Sequence, residues 1–192
     1  MTDEQMLDRV LRQARSHGDF EDRPVGDDLL CAAHDLMKWG PTTANSQPAR
    51  IFYLRSRESR EKLRPALSAT NLEKTIGAPL VAIVAYDTRF YEHLPRLFHN
   101  PGAINWYNKP ALAEVTALRN SSLQGAYLII ALRAVGLDCG AMSGFDNARL
   151  DAAFFPEGRL KSNFLINIGF GTGKGIPPRN PRFAFDEQCK VL

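Results

Sequence analysis

Helical and strand-like hydrophobic periods alternate along the chain, and this alternation predicts a mixed domain of the α/β or α+β class. Two stretches carry most of the argument. Pro79 to Tyr86 is a continuous apolar run suited to a buried central strand, and Pro110 to Val135 keeps helical spacing long enough for one central helix. With 192 residues, 44% hydrophobic and 23% charged, the chain is expected to form a single domain over 1–192 with a sizeable core.

The elements follow in order. Thr2 with Gln5 resembles a capping box, and Met6, Leu7, Val10, Leu11 and Ala14 recur at helical spacing, so a first helix should run to about Arg15 and end by Gly18. Asp27 can cap a second helix with Leu29, Leu30, Ala33, Leu36 and Met37 on one face, stopped by Gly40-Pro41. A polar loop, Thr42 to Gln47, precedes a strand at Ile51 to Leu54. Ser56 can cap a short helix up to Leu67, before the apolar strand already named. Phe90 to Asn108 mixes aromatics with Pro, Gly and Asn and reads as an irregular excursion or lid. Gly136 closes the long helix. Asp138 to Phe145 suits a short strand and turn, Asn147 can cap a helix through Phe154, and Phe164 to Phe170 is the last core strand. The tail from Gly171 is rich in Gly and Pro, with a last structured turn at Phe183 to Cys189.

Composition excludes several classes. A net charge of +3 is too small and scattered to mark a nucleic-acid surface. The three cysteines, Cys31, Cys139 and Cys189, form no Cys-x-x-Cys pair, which speaks against a disulfide framework or zinc knuckle and for a reducing compartment. No secretory pattern opens the sequence, and no apolar stretch approaches the roughly 20 residues that span a bilayer. A cytoplasmic protein is expected. Four scattered histidines without an acidic ligand set predict no metal site. The glycines from Gly169 to Gly175 fail both the phosphate-loop and the dinucleotide spacing, and Pro177-Pro178 forbids an immediate helix. Ser143-Gly144 lacks the preceding glycine of a hydrolase elbow.

Four polar segments remain that suit a phosphorylated, planar, hydrogen-bonding ligand. Arg15-Ser16 offers a guanidinium fork and a hydroxyl. Pro41 to Pro48 concentrates hydroxyls and amides between stiffening prolines. Asn71 and Lys74 lie one helical turn apart on one face. Arg179-Asn180-Pro181-Arg182 is a basic knot in the terminal arm. Each alone is also what a solvated surface or a helix end would carry.

The order and spacing of these segments resemble the FMN-dependent nitroreductase family over essentially the whole chain, most closely the malonic semialdehyde reductases of pyrimidine degradation. The likeness is carried by Met37 to Arg50 with its Asn45-Ser46-Gln47-Pro48 core, Asn71 to Lys74, Arg119 to Ser122, Gly136 to Asp146 and Leu160 to Gly169. It implies an α+β fold in three layers, a central and mainly antiparallel sheet flanked by helices, in an intertwined homodimer. It implies bound FMN and NADH or NADPH as electron donor. Arg15 and Ser16 then match the residues on the flavin phosphate and ribityl chain, with Gly18 where the family carries a second basic residue. Thr42, Thr43, Asn45 and Gln47 match a loop that reaches the flavin from the partner subunit, with Ala49 where a Trp is usual. Asn71 and Lys74 match residues at the pyrimidine edge. Ala141, Met142, Ser143 and Gly144 match the segment over the central ring nitrogen, with Ser143 where many relatives carry Glu. Arg179 and Arg182 match terminal basic residues near the phosphate.

Because the flavin supplies the redox chemistry, no protein nucleophile or general base is required. The resemblance points to a small aldehyde as acceptor, malonic semialdehyde, with Arg119 as the cation for its carboxylate. A nitroaromatic or quinone acceptor, or a flavin-binding protein without turnover, are the alternatives.

Overall fold

In the computed structural model, which describes residues 1–192, Thr2 and Gln5 cap each other's backbone N–H groups and open helix α1 (Asp3–Leu7). The helix widens into a π turn over Asp8–Arg12, closed by Gln13 N–H on the Asp8 carbonyl at 2.8 Å. It therefore ends short of the predicted Arg15. The carbonyls of Val10, Arg12 and Ala14 instead accept from the guanidiniums of Arg133 and Arg179. Helix α2 (Asp27–Met37) has Gly26, not Asp27, at its N-cap, and Asp27 and Asp28 sit in the first turn where the helix dipole favours them.

Strand β1 (Ala49–Leu54) starts two residues earlier than predicted, since Ala49 already faces Tyr86 and donates to the Gln124 side chain at 2.9 Å. Ser56 caps α3 (Arg57–Glu61) as expected, but this helix stops short of Leu67, and a separate helix, α4 (Ala69–Ile76), carries Asn71 and Lys74. Strand β2 (Leu80–Asp87) is buried along its whole length. The excursion is built of short turns around α5 (Leu94–Leu97) and is no loose lid. Phe90, Leu94, Ala103 and Tyr107 pack with Tyr86 and with Ala113 and Ala117 of α6 (Pro110–Ala134).

Strand β3 (Asp138–Met142) and helix α7 (Asn147–Phe154) follow, the latter capped by Asp146, one residue before the predicted Asn147, through its carboxylate on the Arg149 N–H at 3.0 Å. Strand β4 (Leu160–Gly169) begins four residues before the predicted Phe164. Its polar start is satisfied from outside the sheet: Lys161 pairs with Glu114, the Ser162 N–H donates to Asp151, and Asn163 donates to the Ser121 and Ser122 hydroxyls. A last turn, α8 (Phe185–Gln188), lies in the tail.

The strands form one sheet in the order β1-β2-β4-β3, antiparallel at every step. Alternation along β2 divides the core. Leu80, Ala82 and Val84 join Ile166 and Ile168 under Leu30, Ala33 and Met37 of α2 and Leu128, Ala131 and Leu132 of α6. Val81, Ile83 and Ala85 join Leu165 against Leu63, Ala66, Leu150 and Phe155 on the other side. Each fully buried Leu, Ile or Val among them contributes about 1.5–3 kcal/mol. Gly125 lets α6 lie close to the sheet, because a Cβ there would collide with the Phe164 ring. The result is the three-layer α+β arrangement that the resemblance implies. No helix is long and apolar enough to cross a membrane.

Candidate functional site

Two ends of the chain meet at one concavity. Leu11, Ala14, Arg15 and Ser16 line it from the start of the chain, Pro177 to Arg179 and Arg182 from the terminal arm, and Arg133 from the end of α6, around a cavity of about 450 Å³. Four guanidiniums surround it. Arg15 donates to the Pro177 carbonyl, Arg179 to the carbonyls of Arg12 and Ala14 at 2.8 and 3.0 Å, Arg133 to that of Val10 at 3.0 Å, and Arg182 to those of Asn180 and Pro181. Backbone carbonyls fix all four, and none of them forms a salt bridge with a carboxylate. Fixed forks with uncompensated charge are the arrangement that binds phosphate.

From this pocket β3 leads along the edge of the sheet. Ser16 bridges to Cys139, and the His17 N–H donates to the Cys139 carbonyl at 2.9 Å, so the chain after α1 covers the start of that edge. Beyond it, Ala141, Ser143 and Gly144 are exposed, and Met142 is half-buried. This exposed stretch can meet a flat polar ligand, with the Ser143 and Gly144 carbonyls already taken by the Phe145 and Ser68 N–H groups at 3.0 and 3.1 Å. Burial pushes the Cys139 thiol up to about 12, so it remains neutral and unreactive beneath this edge.

Helix α4 closes the far end. The Asn71 amide, buried, donates to the Gly144 carbonyl at 3.0 Å, and Thr75 donates to the Met142 sulfur at 3.1 Å. Gly144 is needed for this approach, since a Cβ would strike the Asn71 amide nitrogen. Lys74 is half-buried and its stem runs beside Gly18, with Cδ 3.6 Å from where a Cβ at that position would lie. From Cys139 to Gly144 is at most about 17 Å at an extended rise. The residues therefore fit a ligand with a phosphate at one end, a polyhydroxylated chain between, and a planar hydrogen-bonding ring at the other.

The remaining predicted segment lies elsewhere. Thr42, Thr43, Asn45 and Gln47 precede β1, on the edge of the sheet opposite β3. Within one chain they do not meet the other site residues. Ala44, Asn45 and Gln47 have φ of 50°, 49° and 41°, a left-handed backbone that costs L-residues roughly 1–2 kcal/mol each. Side chains hold the strain: the Thr43 N–H donates to Asn120 Oδ1 at 2.8 Å, the Gln47 N–H to the Thr42 hydroxyl at 3.2 Å, and the Asn45 amide to the Leu97 carbonyl at 2.8 Å. A loop so over-determined presents a fixed polar surface.

Arg119 stands on the exposed side of α6, with no hydrogen bond or ion pair, while its neighbour Asn120 is buried against Thr43. Sequence reasoning missed Arg133. Nothing in the regular pattern of a long helix distinguishes it, and only the fold brings it beside Arg15 and Arg179.

The sequence profile of the nitroreductase family matches residues 11–169. A Burkholderia lata protein with the provisional name NADH dehydrogenase/NAD(P)H nitroreductase is 52% identical over 186 residues, 96% of this chain and 95% of that one. A provisionally named nitroreductase from Exiguobacterium sibiricum, crystallised in complex with FMN, superimposes with a TM-score of 0.87 at 18% identity, covering 100% of this chain and 98% of that one. A provisionally named NAD(P)H:FMN oxidoreductase from Staphylococcus epidermidis gives 0.82 at 18% identity, with 97% and 95% covered. The structural likenesses show the fold. Together, the family profile over most of the length and the half-identical relative mean that the chain belongs to the nitroreductase family.

Proposed function

We propose that the chain is a homodimeric FMN-dependent oxidoreductase using NADH or NADPH to reduce a small aldehyde, malonic semialdehyde giving 3-hydroxypropionate. The observation that carries the flavin reading is the acid-free arginine pocket lying at the start of an open strand edge backed by Asn71 and Lys74. Arg15, Ser16, Arg179 and Arg182 hold the phosphate. Ala141, Met142, Ser143 and Gly144 present backbone groups to the ring, and Asn71 and Lys74 face its pyrimidine edge. Bound flavin supplies the redox chemistry. A fixed ammonium and amide at that edge stabilise negative charge as it develops.

The homodimer is what the resemblance implies, and the loop supports that reading. Thr42, Thr43, Asn45 and Gln47 sit on the sheet edge opposite β3, and their preformed shape serves the site of a second copy. Ping-pong kinetics are expected, with donor and acceptor using one face in turn. Arg119, exposed and without a tether of its own, supplies the cation for a carboxylated aldehyde. The open edge at Ala141 to Gly144 favours a second reading, a broad acceptor range including nitroaromatics and quinones.

The test is anaerobic. NADH or NADPH should bleach the flavin of FMN-loaded protein, and malonic semialdehyde should restore its colour faster than nitrofurans or quinones do. Faster recovery with the latter assigns the second reading, and no bleaching by either nicotinamide leaves a flavin-binding protein. In Arg119→Ala the Michaelis constant for the carboxylated aldehyde should rise about tenfold or more, as loss of a charge-assisted bond of about 1.5–3 kcal/mol requires. An unchanged constant removes Arg119 from the substrate site.

A further inference from the structure

We propose that Asn167 is a positioning residue for Lys74 and thereby sets how strongly the site prefers reduced flavin. The inference rests on the placement of Lys74 at the flavin given above. Asn167 is 0% exposed, near the C-terminal end of β4, between Val81 of β2 and Gly140 of β3. Its neighbours Ile166 and Ile168 point into the α2/α6 core, so Asn167 faces the other side of the sheet, towards α4. A leucine would fill such a position without any polar group to satisfy, and a buried amide there calls for a partner.

That partner is the peptide of Lys74 itself. Asn167 Nδ2 donates to the Lys74 carbonyl at 3.0 Å. This carbonyl belongs to the last turn of α4, where the helix runs out of its own donors. Gly77 N–H goes to Glu73 and Ala78 N–H to Thr75, which leaves the Lys74 oxygen between them unclaimed by the helix. The sheet thus caps the helix with a side chain, at the residue whose ammonium the flavin reading uses. Asn71 and Thr75 fix the adjacent turns of α4 to Gly144 and Met142, and Asn167 fixes the residue between them.

The Asn167 amide carries one polar end beyond this bond. Its Oδ1 is buried and has no partner. With Nδ2 committed to Lys74, that oxygen lies unpaired beside the last turn of α4.

The experiment measures the midpoint potential of bound FMN in the holoprotein by equilibrium with a reference dye. Lys74→Ala should reduce the preference for reduced over oxidised flavin about tenfold, about 30 mV more negative for a two-electron couple. Asn167→Leu, which keeps the volume but loses both polar ends, should move it in the same direction, by roughly threefold to tenfold. Combined with Lys74→Ala it should add nothing. Asn167→Ala serves as the second variant where leucine impairs folding, and should behave alike. A potential unmoved by either Asn167 change, with Lys74→Ala still effective, overturns the positioning role even where the melting temperature falls. An additive effect in the double variant overturns it too, because Asn167 would then act independently of Lys74. A potential unmoved by Lys74→Ala overturns this inference together with the placement of Lys74 at the flavin.

Discussion

The molecule contains two clusters of arginines, and they have opposite characters. At one end of the sheet, Arg50, Arg159 and His93 converge on Asp87, which is 2% exposed. Arg159 grips both carboxylate oxygens at 3.0 Å, Arg50 adds a third bond at 3.2 Å, and His93 Nε2 lies 3.5 Å away. At the other end, Arg15, Arg133, Arg179 and Arg182 surround a cavity with no carboxylate in its wall. The first cluster has its counter-ion built in, and ties the excursion and the α7–β4 connection to β2. The second is held in place by carbonyls and leaves its charge for a ligand. Counting arginines does not find a binding site; asking whether an acid already neutralises them does.

Removing the acid of the first cluster should have the largest effect. Asp87→Ala leaves the half-buried Arg50 without its anion, while Arg159 keeps Glu92 at 3.0 Å, and should cost about 3 kcal/mol in urea unfolding. FMN affinity of the folded variant should stay as it was. A loss under about 1 kcal/mol would mean that solvent already screens this cluster like a surface pair.

Next comes the second cluster. Arg179→Ala should weaken FMN binding by about tenfold to a hundredfold, from loss of a charge-assisted bond worth about 1.5–3 kcal/mol, while riboflavin, lacking the phosphate, binds unchanged. Fluorescence titration reads both. Equal weakening for the two ligands would place Arg179 outside the phosphate subsite.

Acid then separates the clusters. Burial works to raise the Asp87 pKa, but hydrogen bonds from Arg159 and the Arg89 N–H, with the charges of Arg159 and Arg50, outweigh it and hold the carboxyl below its ordinary range. A group whose folded pKa is depressed contributes fully above its unfolded value, about 3.9, and loses that contribution as the pH falls through the folded value. Stability of the native protein should therefore fall more steeply below about pH 4 than that of Asp87→Asn. Parallel acid limbs would show that Asp87 does not carry the linkage. The smallest effect is that of salt. At about 1 M, where screening reaches only about 3 Å, FMN affinity should drop several-fold at the open pocket while the Asp87 cluster is little changed.

Much of this was legible in the sequence where a local rule suffices. The Thr2–Gln5 box, the apolar run of β2, the length of α6 and the Asn71/Lys74 spacing all rest on contacts within one turn or one strand. Elements failed to be legible where a distant partner overrides local preference. The first helix ends early because guanidiniums from α6 and from the terminal arm take its carbonyls. The polar start of β4, Lys161 to Asn163, does not look like a strand until Glu114, Asp151, Ser121 and Ser122 satisfy it. Arg133 and Asn167 are invisible for the same reason. One is an ordinary helical arginine and the other an odd polar residue in a strand, until the fold shows what each touches.

Arg15 and Pro177, 162 positions apart, are in direct contact at the rim of the arginine pocket. During synthesis the first wall of that pocket leaves the ribosome long before the second exists, so a growing polypeptide has no complete grip for the phosphate. With the phosphate placed there as proposed, cofactor loading would be among the last events of maturation. Proteolytic trimming just before Pro177 would remove that second wall while sparing every strand of the sheet.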